Sequence, residues 1–288
     1  MKILFCTDGS ETSFSAIKNS RNWTENAGVD IISVIDWNFL PDEINLEAPG
    51  FYEFCANSAD NILNLAKKEV EKAGFTAGKL IKHCGSVSES ILEELENGSY
   101  DLAVLGSHGK KGIQSWLGSV SRKVSVSGKT CVYTAKQENN SKRILFTTDG
   151  TVKSSEGIIE AVSHIKLNEK EIYICMVNEE PGLLFLEGTL DTNWLIKIEN
   201  QQRDYAQKAI EDIKKIIVQK GYEVKETAVL TGNPAQKILE YSKNNNIDLI
   251  VMSSKHKEEK SAFLGGSVCK RVLENTASDV IIAKKHLF

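Results

Sequence analysis

The stretch KILFCTDG at residues 2–9 recurs almost unchanged as RILFTTDG at residues 143–150. A second pair follows later in each copy, DLAVL at residues 101–105 and DLIVM at residues 248–252. The sequence GSV then occurs at residues 118–120 and again at residues 266–268. The separation between copies drifts only from 141 to about 148 positions across these anchors, so the match runs along both halves of the chain. The sequence therefore predicts two copies of one domain, residues 1–137 and residues 142–288, joined by a short polar linker.

Within each half, apolar runs of strand length alternate with longer helical patterns. The runs are apolar on both faces, as strands in a sheet covered on both sides require. Strand–helix alternation predicts right-handed crossovers, so the expected fold class is α/β, with two similar open, mostly parallel five-stranded sheets and helices on both faces. Strands are predicted near residues 2–6, 30–35, 79–83, 101–105, 130–134, 143–147, 171–177, 224–230, 248–252 and 279–283. Helices are predicted near residues 11–26, 53–73, 87–97, 117–127 and 192–220, the last ending at Gly221.

Composition excludes several classes of protein. Hydrophobic residues make up 41% of the 288 residues and charged residues 26%, an ordinary balance for a globular protein. The net charge is −4 with no long basic block, so we expect no nucleic-acid partner. No apolar run is long enough to span a bilayer, and the first residues do not resemble a secretion signal. Six scattered cysteines without a CxxC pair fit reduced thiols, so we expect a cytoplasmic protein.

The stretch GSHGKKGIQSWLGSVS at residues 106–121 follows the fourth predicted strand and leads into a helix near Gly118. Glycines let backbone N–H groups approach an anion, and a helix N-terminus adds unpaired donors. Lys110 and Lys111 add positive charge, while the hydroxyls of Ser119 and Ser121 are possible donors. Taken with Asp8 at the same sheet edge, the stretch fits a phosphate cradle and a simple strand-to-helix turn equally well.

The whole chain resembles a tandem universal stress protein, with one family domain in each half. The resemblance rests on the pattern G-x2-G-x9-G-[ST] after the fourth strand and on an Asp after the first. One position departs from it, because eight residues rather than nine separate Gly109 from Gly118. The resemblance implies an adenine nucleotide alpha hydrolase-like fold and binding of ATP, with or without Mg²⁺, or of ADP or AMP. Carried over by position, it places the adenine at Asp8 and Val34 and the phosphates at Gly106, Gly109, Gly118, Ser119 and Val120, with Thr7 and Ser121 as further candidates.

The loop of the second half departs further from the pattern. Ser253 and His256 stand where the first two glycines are expected, and Glu258 and Glu259 bring negative charge to the place of the phosphates. Three candidate contacts remain, at Asp149, Gly266 and Ser267. We therefore expect the second half to bind nucleotide weakly or not at all.

The expected function is regulatory or protective in a stress response, through binding of an adenine nucleotide without efficient catalysis and with no catalytic residue. Three alternatives stay open: a weak ATPase or phosphotransferase, a nucleotide-free protein-interaction module, and a receptor for another small anion. The resemblance also implies that the last strands of the halves, near residues 130–134 and 279–283, pair antiparallel. The halves would then form an internal pseudo-dimer, and two chains would form a homodimer of such pseudo-dimers.

Overall fold

Strands and helices alternate along the computed structural model, which describes residues 1–36, 51–107, 117–136, 141–179, 192–253 and 267–284. The elements of the first half are β1 (Lys2–Cys6), α1 (Glu11–Ser20), β2 (Gly28–Ile35), α2 (Phe51–Lys72), β3 (Thr76–Cys84), α3 (Val87–Asn97), β4 (Leu102–Gly106), α4 (Ser119–Ser127) and β5 (Cys131–Ala135). Those of the second half are β6 (Arg143–Thr148), α5 (Val152–His164), β7 (Glu171–Asn178), α6 (Thr192–Gln219), β8 (Val224–Thr231), α7 (Pro234–Asn244), β9 (Leu249–Ser253), α8 (Ser267–Asn275) and β10 (Asp279–Ala283). The α/β fold class is confirmed.

The two predicted five-stranded sheets join into one sheet of ten strands, in the order β3-β2-β1-β4-β5-β10-β9-β6-β7-β8. Strands within each half are parallel, and β5 pairs antiparallel with β10, with Tyr133 opposite Ile281. The expected pairing of the last strands is therefore confirmed. In each half the strand order reverses beside the first strand, between β1 and β4 and between β6 and β9. Such a reversal opens a crevice at the carboxyl ends of the strands, where ligands of this fold class bind.

The hydrophobic core differs between the two faces of the sheet. On the face covered by α1, α2, α5 and α6, one cluster runs through both halves, from Ile3 and Phe5 to Ile144 and Phe146. On the other face the halves keep separate clusters. The first-half cluster includes Leu4 and lies under α3 and α4, whereas the second-half cluster lies under α7 and α8.

The repeated Asp at the start of the fourth strand of each half has the same role in both copies. Asp101 accepts a hydrogen bond of 2.7 Å from the backbone N–H of Lys2, and Asp248 accepts one of 2.9 Å from that of Arg143. Each carboxylate thus satisfies a donor at the amino end of the neighbouring strand. The predicted helix end at Gly221 is also supported, because α6 ends at Gln219 and Gly221 has a φ of 87°.

Helix α1 is shorter than the sequence pattern predicts, ending at Ser20 rather than near residue 26. After it the chain turns inward and buries Trp23 completely, and Thr24 forms a bridge with Ile165 of the second half. The backbone N–H of Lys166 donates a hydrogen bond of 2.7 Å to the carbonyl of Trp23. Contact between the halves therefore overrides the helical pattern at this point. Among the helices of the described ranges, none is long and apolar enough to cross a membrane.

Candidate functional site

The turn after β1 is a compact hydrogen-bonded structure at the carboxyl edge of the sheet. The hydroxyls of Thr7 and Ser13 lie 2.7 Å apart, and Thr7 Oγ1 accepts from the N–H of Gly9, whose φ is 74°. The Asp8 carboxylate accepts a hydrogen bond of 3.0 Å from the N–H of Ser10, which in turn caps α1. Asp8 is partly buried, directly before α1 at the carboxyl edge of the sheet, and its predicted contact with adenine stays a prediction.

The loop between β4 and α4 is closed at its base. The N–H of Gly118 donates a hydrogen bond of 2.7 Å to the carbonyl of Ser107, and α4 begins at Ser119. Ser121 is buried, and its hydroxyl donates a bond of 2.6 Å to the carbonyl of Gly106. In this structure the Ser121 hydroxyl closes the loop, and its contact with a ligand stays a prediction. Ser119 is exposed at the first turn of α4.

Gly106 brings the two turns into contact. A Cβ atom at this position would lie 3.1 Å from the carbonyl oxygen of Thr12 and 3.2 Å from the nitrogen of Ser13. Both are backbone atoms in the first turn of α1, so a side chain would push that helix away from β4. The glycine therefore lets the first turn of α1 lie against the end of β4, beside the break in strand order between β1 and β4. Two helix N-termini at one edge provide unpaired N–H donors and positive potential.

The remaining predicted contacts fall into two groups. The Val34 side chain is buried in the first-half cluster near the end of β2, and Val120 packs against the same cluster. Both can therefore offer a ligand only their backbone groups or a small part of the side chain. Gly109, Lys110, Lys111, His256, Glu258, Glu259 and Gly266, together with the side chain of Ser267, lie outside the described residues.

The second half repeats the turn after its first strand. Thr148 and Ser154 have hydroxyls 3.2 Å apart, and Thr148 Oγ1 accepts from the N–H of Gly150. The Asp149 carboxylate accepts from the N–H of Thr151 at 3.0 Å, as Asp8 does in the first half. The duplication therefore preserved this turn in both copies.

The next position shows how the halves diverged. Ser253 occupies the place of Gly106, and Gly157 of α5 occupies the place of Ala16 in α1. A Cβ atom on Gly157 would lie 2.6 Å from Ser253 Oγ. In the first half the glycine is on the strand, at Gly106, whereas in the second half it is on the helix, at Gly157. The Ser253 side chain therefore occupies the space between the strand and the helix.

A tyrosine covers the turn of the second half, and sequence reasoning missed it. A Cβ atom on Gly150 would lie 2.6–2.7 Å from ring atoms of Tyr205, which projects from α6. Aligning the turns at Gly74 and Gly221, which share a positive φ, places Ser58 at the equivalent position of the first half. The bulky ring therefore stands where the first half has a small hydroxyl.

None of the free cysteines in the described part of the chain has an activated thiol. Burial raises the pKa of Cys131 and Cys269 to about 11 and that of Cys175 to about 12, and it raises the pKa of Cys6 still further. All four are free. Cys84, at the end of β3, is disulfide-bonded, which departs from the expectation that every cysteine is reduced. Within the described ranges, no group of three or more His, Cys, Asp or Glu side chains could hold a metal ion.

The match to a known protein family divides the chain into the same two halves. The sequence profile of the universal stress protein family matches residues 1–132 and residues 140–284. A universal stress protein of Methanocaldococcus jannaschii is 32% identical over 149 residues, which cover 51% of this chain and 85% of that relative. One from Synechocystis sp. is 24% identical over 226 residues, which cover 76% of this chain and 70% of that relative. The crystal structure of a universal stress protein from Archaeoglobus fulgidus has the same fold, with a TM-score of 0.69 at 21% identity, covering 99% of this chain and 96% of that one. Since the profile matches each half in turn, the chain belongs to the universal stress protein family and carries two of its domains in tandem.

Proposed function

We propose that the first half binds ATP, or a related adenine nucleotide, at the edge formed by Asp8, Gly106 and the N-terminus of α4. The observation that carries the proposal is the close approach of the first turn of α1 to Gly106, the last residue of the strand that leads into α4. The N–H donors of both helix N-termini therefore lie at the same edge of the sheet. Backbone donors at a helix N-terminus suit phosphate oxygens. The family resemblance supplies the adenine as the base.

Binding rather than turnover is proposed as the function, in a regulatory or protective role. The hydroxyls of Thr7 and Ser13 bond to each other and that of Ser121 bonds to a backbone carbonyl, so they serve to shape the turns. A ligand held mainly by backbone donors needs no reactive side chain of the protein and no chemical step. A cytoplasmic location and a homodimer of the tandem chain remain part of this proposal.

The second half is proposed to support the first and not to bind nucleotide itself. Ser253 places a side chain where the first half has Gly106, and Tyr205 lies against the turn at Gly150. These two observations agree with the negative charge that the sequence places in its loop at Glu258 and Glu259.

Two substitutions at the same glycine test the phosphate site. Gly118 is the N-cap of α4 with φ −61° and ψ 146°, a conformation that Asn and Asp adopt as N-caps. Gly118→Asn and Gly118→Asp therefore both preserve the helix start, and they differ only in charge. Isothermal titration with ATP, ADP, AMP and cyclic AMP should show the wild type binding and Gly118→Asn within about threefold of it. We expect Gly118→Asp to bind more than about tenfold more weakly, with a defect that shrinks in high salt.

Each result has a distinct meaning. If the wild type binds none of the four nucleotides, the proposed function is wrong. If it binds and the Asp and Asn variants have the same affinity, the phosphates lie elsewhere.

A further inference from the structure

Leu117, the residue directly before the N-cap of α4, belongs to the first half but packs on the core of the second. It is partly buried against the second-half cluster, which β6, β7, β9, β10, α7 and α8 build. Three residues later, Val120 packs against the first-half cluster. On this face of the sheet the two clusters are separate, so the short turn from Leu117 to Val120 is held by both halves at once.

The turn is fixed at its base as well. The N–H of Gly118 bonds to the Ser107 carbonyl and the Ser121 hydroxyl bonds to the Gly106 carbonyl. Further along, α4 meets α8 through an ion pair of 3.5 Å between Arg122 and Glu274, whose side chains are 46% and 31% exposed. Such an exposed pair adds little, so the apolar contact of Leu117 is the stronger link between the second half and this turn.

The position equivalent to Leu117 in the second half carries no side chain. Aligning GSV at residues 118–120 with GSV at residues 266–268 places Gly265 at the position of Leu117. A glycine has no side chain with which to reach the opposite core. The loop of the first half therefore has an anchor on its partner half, and the corresponding position of the second half has none to offer.

We propose that Leu117 is a positioning residue through which the second half holds the phosphate-binding turn of the first half in its binding conformation. The inference rests on the proposed function, since it concerns the same turn. Burial of an apolar side chain at one end of the turn restricts the directions in which the N–H groups of Ser119 and Val120 point. A turn ordered in advance loses less entropy when a ligand binds, so its affinity is higher. The second half thereby contributes to nucleotide affinity without contacting nucleotide.

The test compares Leu117→Ala with two further variants of the full chain. Leu117→Met keeps the apolar contact and should bind ATP within about twofold of the wild type. Leu239→Ala removes a partly buried leucine from the same cluster, but on α7, and serves as the matched control for lost packing. We expect Leu117→Ala to bind ATP roughly tenfold more weakly, which corresponds to about 1.4 kcal/mol. Leu239→Ala should lower the melting temperature and leave ATP affinity unchanged.

Hydrogen exchange without nucleotide gives a readout that does not depend on binding. In Leu117→Ala, exchange at residues 118–121 should be at least severalfold faster than in the wild type, whereas Leu239→Ala should leave it unchanged. Absence of ATP binding by the wild type would contradict the proposed function, and the exchange rates would still decide whether Leu117 positions the turn. Equal exchange and equal affinity in Leu117→Ala and the wild type would overturn the inference, as would equal losses in Leu117→Ala and Leu239→Ala.

Discussion

Tyr133 on β5 donates a hydrogen bond of 2.7 Å to the carboxylate of Asp279 on β10, across the seam between the two halves. Asp279 is fully buried and also accepts from Trp23 Nε1 at 3.3 Å and from the N–H of Lys136 at 2.8 Å. A buried carboxylate is tolerated only with such a set of donors. Because all three donors come from the first half, Asp279 fixes how the halves sit against each other.

Removing the Tyr133 hydroxyl should therefore weaken the whole tandem unit. We expect Tyr133→Phe to lower the free energy of unfolding by about 2 kcal/mol, because a hydrogen bond to a buried charged group is lost. Burial raises the pKa of Tyr133 well above its ordinary value, so the hydroxyl is a donor at every pH of interest. Urea denaturation followed by circular dichroism measures the change.

The control is Tyr173→Phe. The Tyr173 hydroxyl donates over 3.3 Å to Glu171, whose side chain is 21% exposed and already paired with basic groups. Its loss should cost less than about 1 kcal/mol. Equal effects of the two substitutions would show that the seam does not depend on the Asp279 network.

The network at Asp279 could not be predicted from the sequence, although the strand that carries it could. The periodicity of apolar residues located β10 and its antiparallel partner, because strand runs depend on local composition. Two partners of Asp279 are far from it along the chain, Tyr133 by 146 residues and Trp23 by 256 residues. By the repeat, Cys131 and Ile281 occupy the positions equivalent to Asp279 and Tyr133, so the duplication itself gives no hint of a polar contact.

The candidate site also has a part that the sequence predicts and a part that it does not. Asp8, Gly106 and Gly118 were predictable because their turns follow strands and use residue types with a local reason to be there. The use of the Ser121 hydroxyl was not, since its acceptor, the Gly106 carbonyl, becomes a neighbour only when the loop closes. Leu117 is one of three apolar residues in the loop sequence, with Ile113 and Trp116, and only its packing on the second half gives it a role.

The second half has serine on the strand, at Ser253, and glycine on the helix, at Gly157. This arrangement predicts the sign of the stability change when Gly157 is replaced. Replacing a glycine inside a helix by alanine normally stabilises a protein by about 1 kcal/mol. At Gly157 the new Cβ would lie 2.6 Å from Ser253 Oγ, so we expect Gly157→Ala to destabilise by roughly 1–3 kcal/mol. Adding Ser253→Gly recreates the first-half combination of Ala16 and Gly106, and it should recover more than about 1 kcal/mol of that loss.

Thermal and urea unfolding of the wild type, both single variants and the double variant provide the complete cycle. Ser253→Gly alone serves as the control, because it opens space without causing an overlap. Purely additive effects would mean that the two positions diverged independently of each other.

Lys136, which is partly buried, and Lys284, which is buried, occupy equivalent positions at the seam, and they predict how stability depends on pH. Lys136 Nζ donates to the carbonyl of Leu273 at the end of α8, and Lys284 Nζ donates to that of Val126 at the end of α4, 3.1 Å away. Burial lowers the pKa of each from the ordinary 10.5 to about 8. For Lys284, Cys269 and Cys131 lie near enough to oppose the shift.

The sign follows from proton uptake. Between pH 8 and pH 10.5 the unfolded chain holds a proton on Lys284 that the native protein has released, so this group makes the protein more stable as pH rises. The contribution is complete above pH 10.5 and is lost as pH falls through 8. The buried thiols act in the opposite direction, because their raised pKa values stabilise the native protein below pH 9 and lose that effect above it. Between pH 8 and pH 9.5 the native thiols stay protonated in the wild type and in Lys284→Met, because burial raises their pKa values to about 11. Comparing the two proteins in this range therefore cancels the contribution of the thiols.

We therefore expect the free energy of unfolding of the wild type to rise relative to that of Lys284→Met by about 1 kcal/mol per pH unit between pH 8 and pH 9.5. Urea titrations at pH 7.5, 8.5 and 9.5 measure this difference. Lys68→Met, which removes an exposed lysine from α2, should show a difference that does not change with pH. If the difference in free energy of unfolding between the wild type and Lys284→Met is also independent of pH, the Lys284 ammonium keeps its hydration in the folded protein. It would then be a surface cation rather than a buried link between the end of the second half and α4.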